Sequence, residues 1–364
     1  MSNKGRRRGS YNGQNRKREE GHVNSTAHKK EISPPDIQKV EKDVLKCIIG
    51  QDKQVRQILT SVYRGMNFST IKSNTLVIGN SGTGKTETIR QIAQRLNKPY
   101  TIEDATKYTQ EGYYGESVEK MIYNLIANAG GNLEKAQNGI LVIDEIDKKT
   151  SKPESTGADV AGVEVLKSLL KIIEGTKIKV EIPVPDAFIT LCVSFDTSNL
   201  IVILMGAFPG LDKIRDKRLC RNPMGFGTEK VSLENTRKLC FTKKDLVQYG
   251  LTEEFVGRID SIVEMNKLTE DDLVSILKNS KLSIFKRYEN ELRKKGITLV
   301  YEESIFREIA KESLTLDTGA RELANTVNYI FENIIYEILV ALGVYAMCEL
   351  LPGIVFDNTE YRLT

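Results

Sequence analysis

Histidine is nearly missing from this chain of 364 residues: there are two, His22 and His28, and no tryptophan at all. The five cysteines, Cys47, Cys192, Cys220, Cys240 and Cys348, are scattered and form no C-x-x-C pair. A structural zinc site needs closely spaced ligand pairs, so no zinc is expected, and the thiols read as reduced, as in a cytoplasmic protein. Long hydrophobic runs are missing too. The longest, Ile338 to Cys348, covers 11 residues between Glu337 and Glu349, whereas a spanning helix needs about 20. It reads as a core helix, and no membrane role is expected. The first 30 residues lack the apolar centre of a signal peptide, which argues against secretion.

Negative charge is scarce at one end. Residues 1–20, MSNKGRRRGSYNGQNRKREE, hold seven Lys/Arg and two Glu, a net +5, so the rest of the +4 chain is close to neutral. A stretch this polar cannot bury enough apolar surface to order itself, so residues 1–33 read as a basic disordered tail. Such a tail is either simply solvated or an arm for nucleic acid or an acidic partner.

What is present beyond the tail is an alternation. After Pro34 and Pro35, helical periodicity gives way to apolar strands separated by amphipathic helices: NTLVIGN, KTETIRQIAQRL, PYTIEDA, SVEKMIYNLIANA, GILVIDEID, VEVLKSLLKIIEG, LIVILMGAF. This pattern predicts an α/β fold, a mainly parallel sheet covered by helices on both faces. Past about residue 265 the signal is almost wholly helical. The chain is therefore expected to hold a large α/β domain over 34–265 and a smaller, mainly helical C-terminal domain over 266–364.

Residues Gly79 to Thr86 read GNSGTGKT, which fits G-x-x-x-x-G-K-[ST] between a strand and a helix. This is a P-loop. Asn80, Ser81, Gly82, Thr83 and Gly84 let successive backbone N–H groups curl around phosphate oxygens at a helix N-terminus. Lys85 is placed for the β and γ phosphates, and the Thr86 hydroxyl for Mg²⁺. Asp144 follows 59 positions after Lys85, where four apolar residues end in an acidic pair. At the exit edge of a parallel sheet, Asp144 is a second Mg²⁺ ligand and Glu145 a group to polarise an attacking water. Arg258 and Arg321 are either surface arginines or contacts for a γ-phosphate.

The run EGYYGE places Tyr113 and Tyr114 between Gly112 and Gly115, and those between carboxylates. Either the loop folds back on its own domain or its rings grip something else.

Together these segments resemble one family. NTLVIGNSGTGKT, DATKYTQEGYYGESVE, GILVIDEIDK, LLKIIEGT, DTSNLIVILMGAFPGLDK, LTEEFVGRID and TGAREL are similar, in order and spacing, to the ClpX family of AAA+ protein unfoldases, from about Pro34 onward. The resemblance implies an ATPase using ATP and Mg²⁺, with Ile48, Ile49 and Gly50 against the adenine and Asp144 and Glu145 as the Walker B pair. It also implies that Arg258 is an arginine finger acting on a neighbouring subunit, hence a homo-hexamer, and that Arg321 is the sensor-2 arginine. Gly112 to Gly115 match the pore loop that pushes on protein substrates. Met224, Gly225 and Phe226, in RNPMGFGTE, stand where the family docks on a ClpP-type peptidase.

Some features depart from that family. The basic tail stands in place of its N-terminal zinc domain. VEIPVPDAFITLCVS, apolar with two acids, replaces the Arg-Lys-His loop at the pore entrance, so tag recognition is expected to differ. IVILMGAF offers no polar sensor after the fourth strand. Two other readings compete: a motor on nucleic acid, and a remodelling factor that does not thread. Nucleic-acid motors line their pore with Lys and Arg, while this loop has aromatics between carboxylates, which argues against the first.

Overall fold

Every position of the run Asn74–Ile78 is buried, because this strand, β1, is covered on both faces. In the computed structural model, which describes residues 34–68, 72–108, 116–150, 160–183, 189–221, 240–315, 319–349 and 361–363, β1 lies within a sheet of five strands. The others are β2 (Tyr100–Asp104), β3 (Ile140–Asp144), β6 (Ile201–Gly206) and β7 (Ser261–Glu264), in the order β2-β3-β6-β1-β7. All four pairings are parallel.

Alternation along the strands sorts their side chains to two faces. Val77, Val142, Ile203 and Met205 point toward the helices Pro34–Leu45, Asp52–Asn67 and Lys85–Arg95. Leu76, Leu141, Ile143, Val202 and Leu204 point the other way, toward Glu119–Asn128 and Val160–Glu174. The expected α/β architecture is therefore present. Outside this sheet, β4 (Lys177–Pro183) and β5 (Thr190–Asp196) form a separate antiparallel hairpin at the segment VEIPVPDAFITLCVS.

The C-terminal region builds its own core from the helices Glu270–Asn279, Ile284–Lys294, Ile305–Thr315 and Ala320–Glu349. Phe285 is its centre, with Tyr301, Phe306 and Phe331 edge-on at 4.9 to 5.3 Å. A parallel pair, β8 (Leu299–Tyr301) and β9 (Tyr361–Leu363), completes it. The apolar run from Ile338 is helical but only partly core. Ile338 is buried while Leu339 is 62% exposed and Val340 49%, because only one face of the helix meets the others. No helix among the described residues is long and apolar enough to cross a membrane.

Candidate nucleotide site

The P-loop leaves β1 at its C-terminal end and enters the helix Lys85–Arg95. Gly82 and Gly84 adopt φ of 76° and 89°, left-handed values open to glycine at little cost, and these let the backbone N–H groups of the turn converge. Lys85 is buried, its ammonium donating to the carbonyls of Gly79 and Asn80. Burial pushes that ammonium below the usual lysine range, while the charges of Asp144 and Asp147 oppose the shift.

β3 delivers the acidic pair to the same edge. Thr86 Oγ1 donates to Asp144 Oδ2 at 3.3 Å, so a hydroxyl and a carboxylate lie side by side, a pair of hard oxygens of the kind that shares one divalent cation. Glu145 is exposed, its own N–H donating to Asp144 Oδ1 at 2.8 Å. Its φ of 57° is one of three positive values at non-glycine residues among the described residues. Such backbone strain concentrates at functional sites. A single helical turn, Ile146–Lys149, follows.

The segment before the helix Asp52–Asn67 closes another side. Ile48 is buried, Ile49 half-buried, and Gly50 lies against the Asp272 carboxylate. Gln51, which the sequence reading passed over, ties the site together. Its Nε2 donates to the carbonyls of Thr83 at 3.3 Å and Asn266 at 2.9 Å, and its Oε1 accepts from Asn266 N at 2.9 Å. A fully buried amide between a P-loop and a chain junction is a clamp. The only hint in sequence was a glutamine directly after an apolar stretch and a glycine.

The C-terminal region also reaches the P-loop. Ala320 N donates to the Gly82 carbonyl at 3.1 Å, and Arg321, next in the helix, adds a like charge that lowers the Lys85 ammonium further. Two distant parts of the sequence thus meet around one turn.

Arg258 is not brought to this edge. It precedes β7, and its carbonyl accepts from Asn74 Nδ2 at 3.0 Å, at the start of β1. It therefore lies at the opposite end of the strands from its own P-loop, about 15 Å away at 3.3 Å per residue. Its guanidinium pairs with Glu174 at 2.6 Å.

The candidate loop residues Gly112, Tyr113, Tyr114 and Gly115, and the candidate docking residues Met224, Gly225 and Phe226, lie outside the described residues. The base of the first loop is described. Tyr108 is fully buried, its hydroxyl donating to Glu103 at 2.5 Å. Its carbonyl accepts from Lys149 Nζ at 2.9 Å, and Tyr108 bridges Glu116 across the loop ends. Lys149 closes the turn that begins beside Glu145.

A P-loop at the exit edge of a parallel sheet, an acidic pair beside it and a helical region folded onto it define an AAA-type ATPase. Residues 71–262 match the family "AAA domain (Cdc48 subfamily)", and residues 268–345 match "C-terminal, D2-small domain, of ClpB protein". The ATP-dependent Clp protease ATP-binding subunit ClpX of Treponema denticola is 36% identical over 325 residues, 83% of this chain and 77% of that protein. The protein of the same name from Borrelia duttonii is 33% identical over 326 residues, 84% and 75% of the two chains. The ATP-dependent Clp protease ATP-binding subunit ClpX 2 of Wolinella succinogenes is 34% identical over 340 residues, 90% and 83%. The chain belongs to the ClpX family of ATPases.

Proposed function

We propose that this chain is an ATP-driven protein unfoldase that works as a homo-hexamer and threads protein substrates through an axial pore, with a ClpP-type peptidase as partner. The observation that carries the reading is the link from the strand end to the loop base. Glu145 starts the turn Ile146–Lys149, and Lys149 holds the carbonyl of Tyr108, the residue just before the loop that carries Tyr113. A rearrangement at the γ-phosphate end can therefore be transmitted along one helical turn.

In this reading Lys85 and the P-loop N–H groups bind the phosphates, Ile48, Ile49 and Gly50 flank the base, and Arg321 joins the C-terminal region to the nucleotide. Thr86 and Asp144 fit Mg²⁺, since both offer hard oxygen donors within hydrogen-bond distance of each other. Bound there, the ion would offset phosphate charge. Glu145 polarises the attacking water. Arg258, too far from its own P-loop, serves a neighbouring subunit, and that requirement supports a ring. The exposed side chains Tyr329, Tyr336, Leu339 and Val340 on one helix offer apolar surface of the kind a neighbour covers. The thiols of Cys47 and Cys192, in no disulfide, suit a reducing, cytoplasmic setting.

The grip is assigned to Gly112, Tyr113, Tyr114 and Gly115. A flat ring holds many side-chain types by area burial without demanding hydrogen bonds. Tyr113→Ala removes about 1.5–3 kcal/mol of such contact per engaged subunit. The number of tagged fluorescent molecules unfolded per ATP hydrolysed is expected to fall about 10-fold or more. An unchanged ratio would overturn the grip. Docking is assigned to Met224, Gly225 and Phe226. Phe226→Ala is expected to lower peptidase-coupled degradation of the same substrate relative to its unfolding, and equal ratios for mutant and parent would refute docking there.

A further inference from the structure

The strand β6 ends in Gly206, between the P-loop strand and the acidic strand, and Ala207 and Phe208 that follow carry no polar side chain. A polar group nevertheless sits there, supplied by another segment. Asp147, from the turn after β3, is 3% exposed, and its Oδ1 accepts from Ala207 N at 3.3 Å. The approach is so close that a Cβ on Gly206 would fall 2.6 Å from Oδ1. Any side chain at 206 would displace the carboxylate.

The other oxygen has no such partner. Among the described residues no donor reaches Asp147 Oδ2 within hydrogen-bond distance. Lys148 Nζ, at 3.9 Å, is an ion-pair neighbour only. Buried carboxylate oxygens are nearly always satisfied, and an exception calls for a reason. Packing of the apolar core supplies none, since an isosteric apolar residue would avoid the cost.

The neighbourhood indicates what the reason is. Gly79 N donates to the Gly206 carbonyl at 3.2 Å, so the end of β6 is bonded directly to the start of the P-loop. After Asp144, Asp147 is the strongest counter-charge on the buried Lys85 ammonium. Burial first, and then the Asp147 charge, push the nearby Tyr249 hydroxyl up to about 12. Two residues at positive φ, Glu145 at 57° and Phe208 at 50°, flank the two segments that Asp147 joins. Phe208 is bulky, and its left-handed backbone persists only if surrounding contacts hold it.

We propose that Asp147 is a positioning residue for ATP hydrolysis: Oδ1 holds the end of β6 against the P-loop, and Oδ2 accepts from ordered water at the γ-phosphate side. It fills, from the acidic strand's own turn, the polar role that β6 lacks. Asp147 touches neither phosphate nor ion directly. It acts through the backbone at Ala207 and through that water.

Asp147→Asn keeps the shape and an oxygen for Ala207 N but removes the charge on the free position. In the full-length protein its kcat for ATP is expected to fall on the order of 10²-fold. KM, the affinity for a fluorescent ATP analogue and Tm are expected to stay near the parent values. Asp147→Ala, which also frees Ala207 N, should lower kcat at least as far and lower Tm as well. If Asp147→Asn restores parental kcat, or if its kcat falls only together with analogue affinity and Tm, the carboxylate is a structural acceptor and the proposal fails.

Discussion

Glu145→Gln is expected to bring steady-state ATP turnover nearly to zero while nucleotide binding persists. The groups that meet the phosphates and the ion in the proposed site, Lys85, Thr86 and Asp144, keep their geometry. The change replaces one oxygen by an amide on an exposed side chain that makes no tertiary ion pair among the described residues. In the proposed mechanism it removes the carboxylate that polarises water, and loss of a positioned base costs typically 10² to 10⁴ in rate. Phosphate release measured at saturating ATP, alongside binding of a fluorescent analogue, checks both halves. Unchanged turnover would overturn the assignment of Glu145. Because Gln keeps the shape of Glu and the backbone is unchanged, the variant should also preserve the turn to Lys149. Its thermal stability is expected to stay within about half a kcal/mol of the parent, since the substitution keeps the side-chain shape and breaks no ion pair among the described residues.

How much of this was legible in the sequence depends on whether a signal was local. The P-loop and β3 were plain, because a strand buried on both faces writes a continuous apolar run and a phosphate-binding turn needs glycines at fixed offsets. β7 was not seen. Its four residues, Ser261 to Glu264, are too short for any period to show, and it exists because Asp260 N and Met265 N bond to the ends of β1. The hairpin of β4 and β5 was read as a loop for a different reason. Its strands KIKVEIP and TLCVSFD do alternate, but the prolines Pro183 and Pro185 and the segment's place in the family resemblance drew it toward a loop. Gln51, Asn266 and Asp147 were invisible as site residues, since each acts through partners far along the chain or through backbone groups that carry no side-chain signature. The missing polar residue in IVILMGAF was a correct observation about β6. A carboxylate from another segment reaches that place.

Arg258→Ala is expected to lower ATP turnover by roughly 10³ to 10⁵, the range for removing an arginine that stabilises the transferring phosphoryl group. Lysine should not substitute, because it lacks the planar fork that spreads contact over several oxygens. The sharper test is a mixture. Arg258 stands about 15 Å from its own P-loop and pairs with Glu174 on its own chain, so a finger acting within one subunit would require β7 to leave the sheet. If it acts between subunits, a ring that mixes Arg258→Ala with Glu145→Gln contains competent sites. Such a site has an intact Glu145 on one subunit and an intact Arg258 on the next. Each variant alone should be nearly inactive, and mixing them before adding ATP should restore a substantial part of the parental rate. If the guanidinium served its own subunit, every subunit in the mixture would lack one of the two groups, and no activity would return. That outcome would remove the main support for a hexameric ring while leaving the nucleotide site itself untouched.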